Sequence, residues 1–174
     1  MGKVIALFGI MMISMCVLSS CTDTSPRTDG DQDLNLLLSF DRMAYEEGQS
    51  ISATITLKNQ SKEAIVVNGR LALNAPESPD AVRDLAFHIA TPSNQELPLA
   101  ARVNVRLLKD TDFVTLSPGV QIQRTYRLDQ FYRFVQTGAF EAYVVYQNQS
   151  DPSDSDAAWK GELRSNTVGF IFGE

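Results

Sequence analysis

Apolar and polar residues alternate with a period of two along the segment that begins at Leu34. The most regular stretch is Ile51–Leu57, where every second residue is apolar and the residues between are serine or threonine. Successive side chains of a β-strand point to opposite faces, so this pattern predicts a strand with one buried and one solvated face. Ile55 is expected in the core, and Thr54 and Thr56 are expected on the opposite face.

Similar stretches recur toward the C-terminus and are separated by polar turns, of which Ser117-Pro118-Gly119 is the strongest signal. The predicted strands are 34–40, 51–58, 65–73, 85–89, 102–107, 113–116, 120–128, 140–146 and 166–172. Residues 129–135 are predicted to form one helical turn. No segment carries the sustained 3.6-residue apolar stripe of a helix. The fold class is therefore predicted to be all-β, an antiparallel β-sandwich of seven to nine strands.

The first twenty residues differ in character from the rest and are laid out as a secretory signal peptide. Lys3 supplies a short positive region, and Val4–Leu18 is an almost wholly apolar run of fifteen residues. A transmembrane helix needs roughly 20 such residues. Residues 1–20 are therefore predicted to be a cleaved signal peptide.

The sequence Leu18-Ser19-Ser20-Cys21 follows this run directly. It resembles the lipobox of bacterial lipoproteins, in which an aliphatic residue and two small residues precede a cysteine. The resemblance implies that Cys21 carries a diacylglyceryl group, often with a further acyl chain such as palmitate. Two or three acyl chains hold a protein stably on a membrane, whereas one does so only marginally. The expected location is the cell envelope, with the protein anchored to a membrane through covalent lipid. This would be the outer membrane, facing the periplasm or the surface, in a Gram-negative bacterium, and the outer face of the cell membrane in a Gram-positive one.

Three regions are predicted: the signal peptide, the lipidated cysteine with a tether at 21–33, and a β-sandwich domain at 34–174. The tether has no hydrophobic residue after Cys21 and contains four aspartates, so it cannot bury enough apolar area to order itself. The chain has two cysteines. Cys16 leaves with the signal peptide and Cys21 is used for lipid, so no disulfide is expected.

The net charge of −6 narrows the classes of partner. Basic residues are scattered along the chain without the clusters that follow a phosphate backbone. A nucleic acid is therefore not expected as a partner, and attraction to an anionic lipid surface is not expected either.

A recurring order of turn glycines and core aromatics runs along the predicted sandwich. It consists of Tyr45-x-x-Gly48, Ile51–Asn59, Leu116-x-Pro118-Gly119, Tyr132-x-Phe134 and Gly138-x-Phe140. This order resembles the immunoglobulin-like sandwich of bacterial lipoproteins and of the N-terminal part of deuterolysin-type metallopeptidases. Phe140 stands where that family has a tyrosine. The peptidase zinc motif needs two histidines and this chain has one, so peptidase activity does not carry over.

That histidine, His88, lies between two apolar residues of a predicted strand and is expected to point outward to solvent. Any serine–histidine–aspartate triad would have to use it. Zinc sites normally draw on cysteine and histidine, so one histidine without a free cysteine argues strongly against zinc. No catalytic residue and no cofactor are predicted.

The connection from Gln147 to Glu162 is long for a hairpin, and long loops are often functional or disordered. It contains Trp159, the only tryptophan, together with Asp151, Asp154 and Asp156. Trp159 either caps the end of the core or is exposed as an interface anchor, with the aspartates as its rim. The aspartate spacing departs from that of an EF-hand, which favours a solvated acidic loop over a calcium site.

The function expected from these features is a non-enzymatic binding or structural module in the cell envelope. Its partner would be a protein or a glycan, and the candidate binding residues are Trp159 and the three loop aspartates. The alternative is an accessory domain of an envelope enzyme or a protein resembling a protease inhibitor.

Overall fold

The computed structural model describes residues 33–73, 84–101, 103, 106–155 and 157–173. The signal peptide, Cys21 and the tether to residue 32 lie outside the described residues. Within the described chain there are ten β-strands: β1 (Leu34–Phe40), β2 (Ala44–Tyr45), β3 (Ser52–Asn59), β4 (Ile65–Asn68), β5 (Leu85–Ala90), β6 (Phe113–Leu116), β7 (Gln121–Arg127), β8 (Gly138–Asn148), β9 (Gly161–Arg164) and β10 (Val168–Phe172).

These strands form two main sheets and a separate two-stranded sheet. One main sheet has the order β1-β3-β7, the other has the order β2-β10-β8-β5, and β9 also pairs with β8. The two-stranded sheet pairs β4 with β6. All strand pairs are antiparallel except β2 with β10. The chain thus leaves β1 in one sheet and joins the edge of the other through β2, which closes an immunoglobulin-like β-sandwich.

The core forms where the alternating faces of β3 and β8 contribute to one apolar cluster. The side chains of Ile51, Ala53, Ile55 and Leu57 are all 0% exposed. On β8 the buried apolar residues are Phe140, Ala142, Val144 and Tyr146. The predicted buried faces of both strands are therefore confirmed. Thr56 lies on the opposite face as expected, but it is buried as well and accepts a hydrogen bond from Gln123 Nε2 at 3.0 Å.

Aromatic rings fill one part of this core around Phe140. Its ring stacks on Phe170 with centroids 5.4 Å apart, and Phe134 meets it edge-on at 5.5 Å. Edge-on and stacked pairs are the arrangements that the ring quadrupoles favour. Phe140 therefore contributes ring packing to the core.

One predicted strand is wrong, and the predicted helical turn is shorter than expected and begins one residue earlier. The strand predicted at 102–107 is not present in its described part, because Val103 and Arg106 have irregular backbone and Leu107 is 87% exposed. The side chain of Arg106 is instead bound by Asp112, so ion pairing overrides the alternating pattern. The helical turn predicted at 129–135 is a shorter 3-10 turn at Leu128–Gln130.

The strand count of ten exceeds the predicted seven to nine for simple geometric reasons. The edge strand β2 has only two residues, and the last predicted strand is preceded along β8 by the separate strand β9. At the break between β9 and β10, the Asn166 side chain exchanges two hydrogen bonds with the backbone of Leu38 on β1. This amide joins the two sheets along one side of the sandwich.

Candidate functional site

The loop with the predicted binding residues is held firmly to the sandwich. We call residues 149–160 the acidic loop. Trp159 N donates to Val66 O at 2.8 Å, and Asn148 Nδ2 donates to Trp159 O at 2.7 Å. Ser153 N and Oγ both donate to Asp110 Oδ1, at 2.8 and 2.9 Å. The loop is therefore attached at several points along its length.

The three loop aspartates are not gathered into one site. Asp151 forms an ion pair with Lys160, Asp154 is exposed, and Asp156 lies outside the described residues. Among the residues that the structure describes, no group of three or more histidine, cysteine, aspartate or glutamate side chains is placed to hold a metal ion. In the same part of the chain, no helix is long and apolar enough to cross a membrane.

Trp159 lies over the core. Its indole stacks on Tyr146 with centroids 5.8 Å apart and an interplanar angle of 22°. A β-carbon at Gly161 would lie 2.9 Å from the indole, so the glycine lets the chain pass close to the ring. The indole is half-buried and packs against the core cluster. Of the two alternatives that the sequence left open, this placement corresponds to the core cap.

His88 points away from the core, as its position on the strand predicts. Its ring stacks on Tyr143 at 4.6 Å, and Arg164 covers the Tyr143 ring at 3.7 Å. His88 Nδ1 lies 3.2 Å from Glu96 Oε1. The side chain is therefore partly exposed in a row of stacked rings and charges on the outer face of the sheet.

A cleft on the β7 side of the sandwich brings together residues that the sequence did not single out. We call it the arginine cleft; its volume is about 490 Å³. Its lining contains three arginines and five residues with apolar surface: Arg70, Arg106, Arg124, Ala72, Leu73, Val103, Tyr126 and Phe131. Clefts of roughly 300–1,000 Å³ with an apolar lining and a few polar groups are typical of small-molecule sites.

Arg70 is the most buried of these arginines and is neutralised by Asp84. Its Nε and Nη2 donate to the two Asp84 carboxylate oxygens at 2.6 and 2.8 Å, and the Asp84 side chain is 0% exposed. Asn68 Nδ2 and Ala72 N donate to the same carboxylate at 2.7 and 2.9 Å. The remaining Arg70 Nη1 donates to Arg106 O. This ion pair is therefore fully hydrogen-bonded, as a buried charge requires.

The chain reaches this position through a tight turn after β4. Arg70 N donates to Asn68 Oδ1 at 3.1 Å, which closes the turn. A β-carbon at Gly69 would lie 2.6 Å from Val114 Cγ2, so only glycine lets the backbone approach β6 this closely. Leu71 then has φ of +45°, which is rare for a residue with a side chain. Tyr126 Oη holds this turn by donating to Leu71 O.

Arg106 is neutralised by a second carboxylate. Its guanidinium binds both oxygens of Asp112, with Nη1 to Oδ2 at 2.7 Å. Asp112 Oδ2 also accepts from Lys109 N at 2.8 Å. The hydrogen bond from Arg106 is the main cause that lowers the pKa of Asp112 to about 2, and it outweighs the opposing effect of burial. The Asp112 carboxylate is thus strongly held in its charged form.

Arg124, on β7, is the arginine whose charge no carboxylate of the described residues offsets. Its Nη1 donates to Arg70 O at 2.6 Å, and its guanidinium carbon lies 5.4 Å from the centroid of the Tyr126 ring. Among the described residues it has no carboxylate within ion-pair distance. The carbonyl and the ring orient the guanidinium without cancelling its charge, so the described residues give the cleft about one surplus positive charge.

Comparison with known proteins adds little to this geometry. No protein-family model matches the chain, and no curated protein matches it. Among solved structures, the chain is similar to the Salmonella enterica SafA pilin in complex with the SafB chaperone, with 12% sequence identity and a TM-score of 0.33. The match covers 80% of this chain and 54% of that chain, so this protein spans about half of its length. A likeness this distant has no bearing on function.

Proposed function

We propose that this protein is a lipid-anchored protein of the cell envelope whose β-sandwich binds a ligand in the arginine cleft without transforming it. The anchoring part rests on the apolar N-terminal run followed by Leu18-Ser19-Ser20-Cys21. The binding part rests on one observation: a cleft of about 490 Å³ that combines an apolar lining with an oriented arginine whose charge no described carboxylate offsets.

The chemistry of the lining favours binding over catalysis. General acid–base catalysis needs a group that exchanges protons near neutral pH. The described lining offers only arginine, which stays protonated, and tyrosine. The Tyr126 hydroxyl is already engaged, because it donates to Leu71 O and accepts from Leu73 N, and burial raises its pKa. These groups can hold and orient a ligand, and none of them is suited to move its protons.

The anchor is tested by Cys21→Ser. Labelled palmitate should enter the wild-type protein in growing bacteria and should not enter the variant, which should be found as precursor or outside the membrane fraction. Cys16→Ser is the matched control, because it removes a thiol five residues earlier in the predicted signal peptide and should keep full labelling. Equal labelling of wild type and Cys21→Ser would refute the lipid anchor.

The binding site is tested by placing a photo-reactive benzophenone side chain at Val103, in the cleft, and at Thr54, on the outer face of β3. Irradiation of intact cells should give adducts of defined mass at position 103 and none at position 54. Adducts at both positions in equal yield, or at neither, would contradict the cleft as the binding site. If the captured molecule were a reaction product of the ligand that enters the cleft, this result would instead indicate an enzyme.

A further inference from the structure

The charges and surfaces of the arginine cleft restrict the kind of ligand that it can hold. This inference rests on the proposed binding function and concerns the chemistry of the occupant. Two of the three guanidinium groups are already committed, Arg70 to Asp84 and Arg106 to Asp112. Only Arg124 has a charge that no described carboxylate offsets, so the cleft matches a single negative charge better than a multiply charged phosphate or sulfate group.

The Arg124 side chain is prepared for such a contact. One Nη1 hydrogen bond to Arg70 O and the contact with the Tyr126 ring define its orientation, while Nε and Nη2 make no other bond within the described residues. Arginine presents its N–H groups as a planar fork that matches the two oxygens of a carboxylate. An oriented guanidinium loses little freedom on binding, which favours a carboxylate head group.

The remaining lining provides carbon surface. Tyr126 and Phe131 meet edge-on with centroids 6.0 Å apart, and Leu73 and Val103 contribute aliphatic surface beside them. The Tyr126 hydroxyl is already hydrogen-bonded to the backbone of Leu71 and Leu73, so the ring contributes mainly carbon surface. The apolar surface therefore matches a hydrocarbon or aromatic body attached to the charged head.

We infer that the arginine cleft binds a monocarboxylate with an apolar body, whose carboxylate pairs with Arg124 and whose body packs on Tyr126 and Phe131. Two sources share this chemistry: a small free carboxylic acid, and the C-terminal residue of a peptide that ends in an apolar side chain. The cleft volume of about 490 Å³ accommodates one such group.

The experiment titrates the mature chain carrying Cys21→Ser with five probes and follows the amide chemical shifts. The probes are hexanoate, 1-hexanol, acetate, and acetyl-alanyl-leucine with a free and with an amidated C-terminus. Hexanoate should shift the signals of Leu73, Arg124 and Tyr126 and reach saturation. Hexanol lacks the charge and acetate lacks the body, so each should bind at least about tenfold more weakly than hexanoate, a difference of about 1.4 kcal/mol. If the peptide with a free C-terminus binds more tightly than hexanoate, the natural ligand is a peptide C-terminus. If it binds more weakly, the natural ligand is a small free carboxylic acid.

Arg124→Gln should weaken hexanoate binding at least about tenfold, with an unchanged melting temperature. The matched control is Arg127→Gln, which removes the same charge from the same strand but from a side chain paired with Asp129. It should change the affinity by less than about twofold. Equal binding of hexanol and hexanoate, or equal losses in both arginine variants, would overturn the inference. Photo-adducts at Val103 without hexanoate or peptide binding would overturn it as well, while leaving the proposed binding function standing.

Discussion

The β3–β8 core and the Arg70–Asp84 ion pair beside the arginine cleft are both buried, but different interactions hold them in place. In the core, the side chains of Ile55 and Val144 are 0% exposed and belong to the apolar cluster. Beside the cleft, Asp84 is equally buried and is surrounded by donors from three residues. The core is stabilised by apolar area removed from water, at about 25 cal/mol per Å². The ion pair gains little net stability, because desolvation offsets most of the attraction between its charges.

The core and the ion pair are therefore expected to respond differently to substitution. Removing methyl groups from the core leaves a cavity whose cost depends on how far the neighbours can relax. Removing one member of the Arg70–Asp84 pair leaves an uncompensated buried charge, which is costly however the neighbours move. The cleft is therefore expected to be the more sensitive region, although it contributes less to the total stability.

The largest expected effect follows from Asp84→Ala, which should lower the free energy of unfolding by about 3–5 kcal/mol because Arg70 stays buried without its partner. Urea titration followed by circular dichroism measures this loss. Asp154→Ala is the control, because that carboxylate is exposed and its removal should change the stability by about 0.5 kcal/mol or less. The double variant Arg70→Met with Asp84→Leu should recover part of the loss, and no recovery would argue against an electrostatic origin.

The corresponding change in the core is Ile55→Ala, with an expected loss of about 2–5 kcal/mol in the same titration. Thr54→Ala is its neighbour on the opposite face and loses only the hydrogen bond between its Oγ1 and Thr125 Oγ1, which are 2.9 Å apart. That loss should be about 1 kcal/mol or less. Equal effects of the two substitutions would mean that the register of β3 is wrong.

A smaller effect should appear as a pH dependence. The pKa of Asp112 in the folded protein is about 2, below the ordinary value near 3.9 in an unfolded chain. The stability that this carboxylate contributes is therefore present above about pH 4 and is lost as the pH falls toward about 2. Asp112→Asn should flatten the fall in unfolding free energy across this window.

Arg106→Gln provides the check on the cause of that pH dependence. It keeps the Asp112 carboxyl group but removes the hydrogen bonds that lower its pKa most. The same flattening is expected by urea titration between pH 2 and pH 5. An unchanged slope in both variants would show that other carboxylates dominate acid unfolding.

The placement of Trp159 can be checked without any substitution, because it is the only tryptophan. Its emission should be blue-shifted, and quenching should be weak in the native protein and strong in urea, since the indole packs on Tyr146. The neutral quencher acrylamide should accompany iodide, because the acidic protein repels iodide on its own. Quenching as strong in the native state as in urea would restore Trp159 as an exposed anchor.

The parts of the fold that could be predicted are those in which local pattern and tertiary packing agree. The alternation in β1, β3, β5 and β8 identifies both the strands and their buried faces, because a period of two leaves one face to the core. The stretch at 102–107 has the same alternation, and there the prediction is wrong. In the structure this segment is irregular, with Arg106 paired to Asp112 and Leu107 exposed. Nothing in its local pattern distinguishes it from the true strands.

The candidate site was missed for a related reason. Arg106 and Arg124 contact Arg70, but they lie 36 and 54 positions after it in the chain. The three arginines therefore look scattered in the sequence. A usable signal was the Asn68-Gly69 pair within the predicted strand 65–73, because the observed strand β4 ends at Asn68 and a turn follows there. Trp159 and the loop aspartates were candidates because Trp159 is the only tryptophan and the loop is rich in aspartate. Residue type alone carries no information about where a side chain points.

The all-β class and the buried faces of the main strands could be read from the sequence, and so could the expectation of a lipid anchor at Cys21, because each depends on neighbouring residues in a short segment. Only the folded chain shows that Trp159 caps the core, that Asp84 neutralises Arg70, and that no described carboxylate offsets Arg124 in the cleft. Those outcomes depend on contacts between residues far apart in the chain, where burial makes a charge require a partner that no local pattern specifies.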